Sequence, residues 1–426
     1  MKESKLFDTS DIMSDKRQRV LLAWVVVDGR IDKDAVLNEL KGLVDTAGGE
    51  TADVFIQNRS VPDQATLFGS GKLKELALLS ESLDIDLIVF ENNLTPVQLR
   101  NIEREVKNCR IIDRTALILD IFALHAKTAE GKLQVELAQL KYFYPRLSGL
   151  NDNLSRQGGG IGTRGPGETK LETDKRYIKN RIRLLNEKIK LLEKHRKELH
   201  KQREKSDVYT VVLVGYTNAG KSSLLNALTS SDVLVADRLF ATLDPFSRKL
   251  DLGNGTHVIL VDTVGFIRNI PTDLIAAFKS TLEETVHADL IINVCDASSP
   301  ECESNRQVTL NTLNLLGAKS DVITVYNKSD KIDADVIKSE FQNDTVFVSA
   351  KTGFGLENLK NKIQSKLFQE KIYCEFEIPY TKAGEIAEIR GKAQILKEIY
   401  DTDKVIIKCD ILKKYIPLYE EFLKTV

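Results

Sequence analysis

The sequence predicts a multidomain α/β protein, and three patterns along its 426 residues support that class. Strand-like and helix-like segments alternate over residues 1–112, which predicts a small N-terminal parallel α/β domain. Two heptad-patterned segments within residues 113–205 flank a glycine-rich stretch, which predicts an antiparallel helical hairpin. Apolar strands that end in polar motifs occupy residues 206–370 and predict a P-loop domain, and residues 371–426 predict a small C-terminal α/β domain.

The composition is that of a soluble globular protein, with 42% apolar and 29% charged residues. No stretch approaches the ~20 apolar residues of a membrane span, and the first residues are polar, so we expect a cytoplasmic protein with no membrane span. The cysteines are odd in number and lack C-x-x-C spacing, so we expect neither disulfides nor zinc. They are Cys109, Cys295, Cys302, Cys374 and Cys409.

The first domain is predicted from apolar strand runs and amphipathic helix runs. Strands are expected at 19–27, 52–58, 86–92 and 109–113, and helices at 35–44, 71–79 and 95–106. A G-S-G-K stretch from Gly69 to Lys72 resembles part of a phosphate loop, but the upstream glycine is missing because Thr66 takes its place. We interpret this stretch as a helix start, with a weak nucleotide or RNA contact as the alternative.

The hairpin is predicted from apolar residues at alternating spacings of four and three. They are Leu133, Leu137, Leu140, Tyr144 and Leu147 in one arm, and Ile178, Ile182, Leu185, Ile189 and Leu192 in the other. The second arm, from Glu172 to about Lys205, is expected to be roughly 50 Å long. The net charge of the chain is −1, yet Leu171 to Lys205 holds 13 Lys/Arg against 6 Asp/Glu. This segment is either a solvated helix face or a nucleic-acid contact.

A loop at residues 155–170 joins the two arms, and its six glycines and one proline predict neither helix nor strand. Arg156, Arg164 and Lys170 lie among those glycines. Backbone that approaches a ligand closely, with guanidinium groups beside it, suits phosphate or base contact in folded RNA. A flexible linker is the alternative.

A phosphate loop is predicted where the apolar strand V-V-L-V runs into G-x-x-x-x-G-K-S. Its backbone N–H groups can surround the β- and γ-phosphates, Lys221 can reach those phosphates, and the Ser222 hydroxyl can ligand Mg²⁺. The nucleotide-binding residues predicted here are Gly215, Tyr216, Thr217, Asn218, Ala219, Gly220, Lys221, Ser222 and Ser223.

Two further motifs predict that the base is guanine. N-K-S-D, from Asn327 to Asp330, follows an apolar strand, and the Asp330 carboxylate can accept from both N1–H and N2–H₂ of guanine, a donor pair that adenine lacks. Asn327 and Lys328 are expected to brace the loop and cover the base. S-A-K, formed by Ser349, Ala350 and Lys351, is expected to present a backbone N–H to the guanine O6.

The fourth motif, D-T-V-G, comprises Asp262, Thr263, Val264 and Gly265 and ends another apolar strand. We expect Asp262 to hold Mg²⁺ through a water, the Gly265 N–H to contact the γ-phosphate, and Thr242 to close over the metal and that phosphate. Four motifs in this order, each at a strand end, predict a P-loop GTPase domain. Lys221, Thr242 and Gly265 are its candidate catalytic residues.

Two residues predict how hydrolysis is controlled. Phe266 occupies the position where many GTPases carry a water-orienting glutamine, and a phenyl ring cannot polarise water, so we expect slow intrinsic hydrolysis. Asn218 is either a K⁺ ligand, as in a subset of GTPases, or a residue that makes only a loop hydrogen bond. We expect turnover to fall when Na⁺ replaces K⁺ if Asn218 is a K⁺ ligand.

The chain resembles the HflX family of GTPases over essentially its whole length. The resemblance is carried by P-D-Q-A-T-L-F-G-S-G-K-L at 62–73, by D-R-T-A-L-I-L-D-I-F-A-L-H-A at 113–126, by G-K-L-Q-V-E-L-A-Q-L at 131–140, and by G-G-G-I-G-T-R-G-P-G-E-T-K-L-E-T-D-K-R at 158–176. Phe266 agrees with the family pattern. The resemblance implies a monomeric, cytoplasmic, partly ribosome-associated GTPase that binds the large ribosomal subunit, through rRNA and ribosomal proteins, and dissociates stalled or stressed ribosomes.

In the family, the hairpin reaches into the peptidyl-transferase region and its loop contacts rRNA. Carried onto this chain, the resemblance implies rRNA contact by Arg156, Gly158, Gly159, Gly160, Arg164, Gly165 and Lys170. It also implies that the N-terminal domain binds ATP, although no motif in these residues requires ATP. The alternative function is a ribosome-assembly GTPase that acts on precursor large subunits.

Overall fold

The structure is a computed structural model that describes residues 17–27, 32–149, 166–205, 209–229, 239–240, 246–253, 256–268, 284–333, 345–368 and 371–425. Within the described part, sheets and helices form in the order that the sequence predicts, so the expected α/β multidomain class is confirmed. No helix in these ranges is long and apolar enough to span a membrane.

The N-terminal domain is a four-stranded parallel sheet in the order β2-β1-β3-β4. Its strands are β1 (Arg19–Val26), β2 (Glu50–Asn58), β3 (Leu87–Phe90) and β4 (Arg110–Asp113), and its helices are α1 (Lys33–Thr46), α2 (Ser70–Ser82) and α3 (Pro96–Glu105). Strand β1 is buried on both faces because helices cover each side of the sheet. Leu21 on one face lies in a core that includes residues of α2 and α3, and Leu22 on the other lies in a core that includes residues of α1.

Helix α4 (Arg114–His125) follows β4 directly and is apolar nearly all round. The Asp113 side chain caps its first turn by accepting a hydrogen bond from the Ala116 N–H at 3.0 Å. The structure places α4 against the first sheet, with Leu117, Ile121 and Phe122 buried in the core of α1, although the sequence prediction grouped this segment with the hairpin. A helix with no polar face has to be covered by other elements on all sides, and the hairpin alone could not provide that cover.

The hairpin consists of α5 (Ala129–Phe143), a 3₁₀ segment (Tyr144–Gly149) and α6 (Pro166–Lys205). Leu137, Leu185 and Ile189 form its buried seam. Glu136 pairs with Arg181 and Glu130 with Arg196, so the two helices run antiparallel, as the heptads predict. Helix α6 begins at Pro166, inside the stretch predicted as loop, because proline fits the first turn of a helix.

The third domain has a six-stranded sheet in the order β10-β9-β8-β5-β7-β6, parallel except for the β6–β7 pair. Its strands are β5 (Tyr209–Gly215), β6 (Phe246–Gly253), β7 (Thr256–Asp262), β8 (Leu290–Asp296), β9 (Asp321–Asn327) and β10 (Thr345–Phe347). Its described helices are α7 (Lys221–Thr229), α8 (Cys302–Leu316) and α9 (Leu356–Phe368). The carboxyl ends of the parallel strands meet at one edge, the usual place for a ligand in such a sheet.

The C-terminal domain is an antiparallel sheet in the order β12-β13-β11-β14 with one helix, α10 (Ala383–Lys392). The strands are β11 (Lys371–Pro379), β12 (Ala393–Tyr400), β13 (Lys404–Leu412) and β14 (Leu423–Thr425). Alternate residues of β11, such as Cys374 and Phe376, are buried, while Glu375 and Glu377 form ion pairs with lysines of the neighbouring strands. The alternation places one face on the core and the other in solvent.

The N-terminal and third domains share one hydrophobic core. It joins Leu40 and Leu43 of α1 to Tyr216, Phe240 and Phe266 of the third domain. The ring of Phe240 packs edge-on against Phe122 of α4, with centroids 4.6 Å apart. The N-terminal domain therefore lies directly against the residues that follow β5 and β7.

Candidate guanine-nucleotide site

The loop between β5 and α7 holds the predicted phosphate-binding residues, and two of its glycines are required by space as well as by conformation. Gly220 has φ +88°, and a Cβ there would lie 2.3 Å from the Asn327 Nδ2. A Cβ on Gly215 would lie 2.2 Å from the Val294 carbonyl oxygen. Because real Cβ atoms do not approach so closely, the loop closes tightly onto β8 and β9 only with glycine at both positions.

The Lys221 side chain is buried beneath this loop. Its Nζ donates hydrogen bonds to the carbonyl oxygens of Gly215 at 3.1 Å and Tyr216 at 3.0 Å. Burial lowers the pKa of Lys221 to about 8, and the nearby Asp262 carboxylate partly opposes that shift. The ammonium group thus lies inside the loop whose N–H groups would face phosphate, which suits the predicted role.

A hydroxyl and a carboxylate meet beside the loop. Ser222 Oγ donates to Asp262 Oδ2 at 2.6 Å, which joins the first turn of α7 to the end of β7. Both are hard oxygen ligands of the kind that Mg²⁺ takes, so the donor set fits the metal that GTPases generally use. Thr242, the third predicted Mg²⁺ residue, lies outside the described residues.

The D-T-V-G motif is clamped to the phosphate loop through its backbone. Thr217 N–H donates to the Phe266 carbonyl at 2.8 Å, and Phe266 N–H donates to the Gly215 carbonyl at 3.0 Å. A Cβ on Gly265 would lie 2.7 Å from the Thr217 Cγ2, so this approach requires glycine. Phe266 itself is only 2% exposed and belongs to the core shared with the N-terminal domain.

The N-K-S-D and S-A-K motifs are tied to the same loop through Asn327. Asn327 Nδ2 donates to the Ala219 carbonyl at 3.0 Å, and its Oδ1 accepts from the Ala350 N–H at 3.1 Å. One buried amide therefore holds the phosphate loop and the S-A-K turn together. The prediction that Asn327 braces this region agrees with that geometry.

Asp330 is exposed at the mouth of the site, and Ser349 Oγ donates to its Oδ1 at 2.6 Å. That hydrogen bond is the largest cause that lowers the pKa of Asp330. Asp330 is thus held ionised as a pure acceptor, which a guanine N1–H and N2–H₂ pair requires.

Asp296, at the end of β8, is a site residue that sequence reasoning missed. Its Oδ2 accepts from Lys328 Nζ at 2.7 Å, while the same Nζ donates to the Asn218 carbonyl at 3.0 Å. Asp296 therefore positions the lysine that links the base motif to the phosphate loop. An acidic residue at the end of an apolar strand was the available signal.

Asn218 takes part in the loop through its backbone, with φ +61° and its carbonyl bonded to Lys328. Its side chain is exposed, and the structure shows no hydrogen bond from that amide to another described residue. The backbone alone thus provides the loop hydrogen bond that was the alternative role for this residue.

A buried polar junction joins the N-terminal domain to this site. The Tyr216 phenol hydrogen bonds to Glu39 of α1 and accepts from the Arg268 N–H at 3.1 Å. Arg114 pairs with Glu39 and Glu91 and donates to the Arg268 carbonyl at 3.0 Å. Burial raises the pKa of Glu91 to about 7 even though Arg114 opposes the shift. The sequence did not predict this junction, because its members are ordinary charged residues far apart in the chain.

The structure brings the predicted residues of all four motifs to one edge of the sheet. Thr242, which belongs to none of these motifs, lies outside the described residues. Arg156, Gly158, Gly159, Gly160, Arg164 and Gly165 lie outside the described residues, and Lys170 lies in α6 with its side chain undescribed. Between α1 and the phosphate loop is a cavity of about 450 Å³, which Asn38, Asn218, Cys295 and Asp296 help to line.

Comparisons with known proteins agree with this geometry. Three family models match the chain: the N-terminal region of a GTP-binding GTPase at residues 34–123, the middle region of a GTP-binding GTPase at 125–203, and a 50S ribosome-binding GTPase at 210–328. The fold and the site therefore define a P-loop GTPase, a protein that binds GTP and hydrolyses it.

Its relatives identify the family. GTPase HflX of Caldanaerobacter subterraneus is 46% identical over 402 residues, covering 94% of this chain and 92% of that protein. GTPase HflX of Escherichia coli is 43% identical over 357 residues, covering 82% and 83%. The chain belongs to the HflX family of GTPases. Among solved structures, a GTP-binding protein from Sulfolobus solfataricus in complex with GDP is 26% identical over 82% of this chain and 99% of that chain, with a TM-score of 0.43.

Proposed function

We propose that the protein, acting as a cytoplasmic monomer, binds the large ribosomal subunit in its GTP form and dissociates stalled or stressed ribosomes. The observation that carries the proposal is the long basic helix α6, packed on α5 within a chain whose third domain is a GTPase. At 40 residues, α6 is roughly 60 Å long, far more than is needed to pack against 15-residue α5. The family model described as a 50S ribosome-binding GTPase supports the same partner.

Helix α6 has an inner face fixed to α5 and an outer face in solvent. Exposed basic residues on it are Arg176, Lys179, Arg183, Lys188, Lys190 and Lys194. Tyr177, Leu184 and Leu191 are exposed among them at seven-residue intervals. Cationic groups beside an exposed aromatic ring suit RNA, which offers phosphates for charge and bases for stacking.

We assign the rRNA contact near the peptidyl-transferase region to the glycine-rich tip that precedes and opens α6. Its residues are Arg156, Gly158, Gly159, Gly160, Arg164, Gly165 and Lys170. In this proposal α6 carries the tip to the RNA, and the exposed lysines and arginines neutralise phosphates along its length.

The nucleotide would control this binding through residues next to the phosphates. Ser222 and Thr242 would hold Mg²⁺ directly and Asp262 would hold it through a water, and the metal would supply charge neutralisation between the β- and γ-phosphates. Lys221 and the Gly265 N–H would contact the γ-phosphate. Loss of that phosphate releases Gly265, and the clamp between Phe266 and the phosphate loop transmits the change to the interface with α1.

Hydrolysis in the isolated protein is proposed to be slow. The buried Phe266 side chain packs into the interdomain core and presents no group that could orient water. Activation then has to come from the ribosome or from K⁺ held by Asn218, whose exposed amide is available to a cation. GTP binding drives insertion of α6, and hydrolysis resets the protein, because a ligand shifts an equilibrium only by its differential affinity.

Co-sedimentation with purified large subunits tests the proposal, using GDP and a non-hydrolysable GTP analogue. Wild-type protein is compared with Lys179→Glu/Arg183→Glu/Lys190→Glu on α6. The matched control is Lys249→Glu/Lys319→Glu/Lys397→Glu, which reverses three exposed lysines outside the hairpin. We expect analogue-dependent binding that weakens only in the α6 variant and falls with added salt.

Equal binding of all three proteins would overturn the role of α6. Splitting of mature ribosomes with the analogue supports the proposed activity. Binding restricted to precursor subunits would favour a ribosome-assembly factor instead.

A further inference from the structure

Thr217, the second residue after Gly215 in the phosphate loop, carries a buried hydroxyl that lacks a hydrogen-bond partner. Only 6% of Thr217 is exposed, and its Oγ1 meets no donor or acceptor within the part of the chain that the structure describes. Thr263 provides the contrast, since it is also buried but its Oγ1 donates to the Leu213 carbonyl at 2.7 Å. An unpaired buried polar group destabilises a protein, so this hydroxyl points to a partner that arrives with the nucleotide.

Thr217 lies beside Gly265, the glycine whose N–H is assigned to the γ-phosphate. A Cβ on Gly265 would lie 2.7 Å from the Thr217 Cγ2. Because Oγ1 and Cγ2 are bonded to the same carbon, the hydroxyl lies within a few ångströms of Gly265. The Thr217 N–H already donates to the Phe266 carbonyl, so the backbone of this residue has no free donor for a phosphate. The hydroxyl is therefore the donor that Thr217 can offer to the substrate.

The position that follows Gly265 supplies no polar side chain to this part of the site. Phe266 occupies it, and its ring is buried in the core that the third domain shares with the N-terminal domain. Thr217 approaches the same place from the phosphate loop. It is among the residues that line the cavity between α1 and that loop, so solvent can reach this side of the loop. A hydroxyl both donates and accepts hydrogen bonds, and contact with a water and a phosphate oxygen together requires both functions.

We propose that the Thr217 hydroxyl positions the water that attacks GTP. Its Oγ1 accepts a hydrogen bond from the water and donates its own proton to a γ-phosphate oxygen, which holds the water against the phosphorus. The water oxygen then bonds to the γ-phosphorus, and the bond from that phosphorus to the β–γ bridging oxygen breaks. A proton of the water passes to a γ-phosphate oxygen, so GDP and inorganic phosphate form and Thr217 is unchanged.

The role of Thr217 agrees with slow intrinsic hydrolysis. One hydroxyl positions a water less firmly than a glutamine amide, whose donors and acceptor lie in one rigid plane. Thr217 thus accounts for the hydrolysis of the isolated protein and leaves its acceleration to K⁺ or the ribosome. The inference rests on the GTPase activity of the third domain and not on ribosome binding. It is therefore tested without ribosomes, and a failure of the co-sedimentation experiment leaves it unaffected.

Single-turnover hydrolysis by the full-length protein tests the proposal, with wild type compared with Thr217→Val and Thr217→Ser. Valine keeps the branched shape and removes the hydroxyl, whereas serine keeps the hydroxyl and removes the methyl group. The control is Thr312→Val in α8, because Thr312 is also buried but its Oγ1 donates to the Val308 carbonyl at 2.8 Å. We expect Thr217→Val to lower the rate constant about tenfold, the size of one hydrogen bond, and Thr217→Ser to stay within about threefold of wild type. Thr312→Val should hydrolyse GTP like the wild type.

Affinities for GDP alone and for GDP with aluminium fluoride, which imitates the transferring phosphoryl group, separate positioning from binding. Thr217→Val should bind GDP like the wild type and lose about tenfold in affinity only when aluminium fluoride is present. Its urea midpoint should not fall, since a methyl group replaces an unpaired hydroxyl. A wild-type rate in Thr217→Val, or equally slow hydrolysis in Thr217→Val and Thr217→Ser, would overturn the role of the hydroxyl. Equal losses of affinity with and without aluminium fluoride would show that Thr217 shapes the loop and does not position water.

Discussion

Two helices in this chain begin with similar glycine–lysine sequences but have different roles. Gly69 to Lys72 opens α2 after β2, and Gly215 to Lys221 opens α7 after β5. At the first, the Gly69 N–H donates to the Gln57 side chain at 3.1 Å, and Lys72 pairs with Glu75 and lies 4.8 Å from the Phe55 ring centroid. At the second, Lys221 turns back under the loop and bonds only to loop carbonyls among the hydrogen bonds described for it.

The difference shows what a phosphate site needs beyond glycine and lysine. Gly215 and Gly220 let the second loop close tightly against β8 and β9, whereas a Cβ on Gly71 of the first stretch would meet no atom within 4 Å. Lys72 is already neutralised by its own helix, whereas Lys221 lies beneath a loop held by Asn327 and Lys328. Gly69 to Lys72 is thus a helix start, as we interpreted it from the missing upstream glycine.

The largest effect is expected when the lysine of each of these two helix starts is replaced. Lys221→Ala should lower GTP and GDP affinity by about 100-fold or more and remove measurable hydrolysis, because charge-assisted contacts to phosphate are lost. Lys72→Ala is the matched control and should leave both unchanged. Calorimetric titration with GDP and phosphate release under excess GTP measure the two variants. Equal losses in both variants would mean that the first stretch also contributes to nucleotide binding.

The glycines provide the next contrast. Gly220→Ala introduces a Cβ at φ +88° against the Asn327 amide and should destabilise the third domain by about 1–3 kcal/mol while weakening GDP binding. Gly71→Ala lies in a helix with nothing within 4 Å of the new Cβ and should stabilise the protein by about 0.5–1 kcal/mol. Urea unfolding of both variants measures the difference. A stabilised Gly220→Ala protein would contradict the strain assigned to this loop.

The N-terminal domain is expected to act on the phosphate loop through the buried Glu39–Arg114–Glu91 junction, and the pH dependence of stability tests this junction. Burial raises the pKa of Glu91 in the folded state from 4.5 to about 7. Its favourable contribution to the free energy of unfolding is therefore complete below pH 4.5 and is lost as the pH rises through about 7. Wild-type stability should therefore fall by about 1–3 kcal/mol between pH 5 and 8 relative to Glu91→Gln. Urea unfolding at both pH values tests this, and parallel pH profiles would show that Glu91 is ionised throughout.

A smaller effect, the pH dependence of GDP affinity, should distinguish Lys221 from Lys72. With the pKa of Lys221 at about 8 in the free protein, bound phosphates favour its charged form, so GDP binding takes up a proton above that pH. Affinity should fall by up to about tenfold per pH unit above 8. Lys72→Ala should keep the same profile. A pH-independent affinity between 7.5 and 9.5 would mean that Lys221 remains charged in the free protein.

The smallest predicted effect concerns Asn218. Replacing K⁺ with Na⁺ should slow GTP turnover by about fivefold, comparable to one contact with a charged group. Asn218→Ala should be slow in both salts, and Asn101→Ala in α3 provides the control. Turnover that is equal in K⁺ and Na⁺ for the wild type would remove the K⁺ role.

Most of the fold class followed from local patterns. Apolar strand runs and heptads predicted the N-terminal parallel sheet, the hairpin and the strands that end in the nucleotide motifs, because each pattern reflects the period of one element. The packing of helix α4 was harder to predict, since an apolar run such as Ala-Leu-Ile-Leu does not specify which neighbouring element covers it. The start of α6 at Pro166 differs from the expected loop because proline, which breaks a helix interior, also fits the first turn of a helix.

The sequence by itself determined the nucleotide chemistry, because each motif is a short run whose backbone geometry and side chains act within a few residues. The tertiary structure alone decided which distant residues support that chemistry. Glu39 meets Tyr216 across 177 residues, Asp296 meets Lys328 across 32, and Phe266 is buried by a neighbouring domain. Such contacts depend on how separate elements pack, and many sequences with the same apolar pattern pack without them.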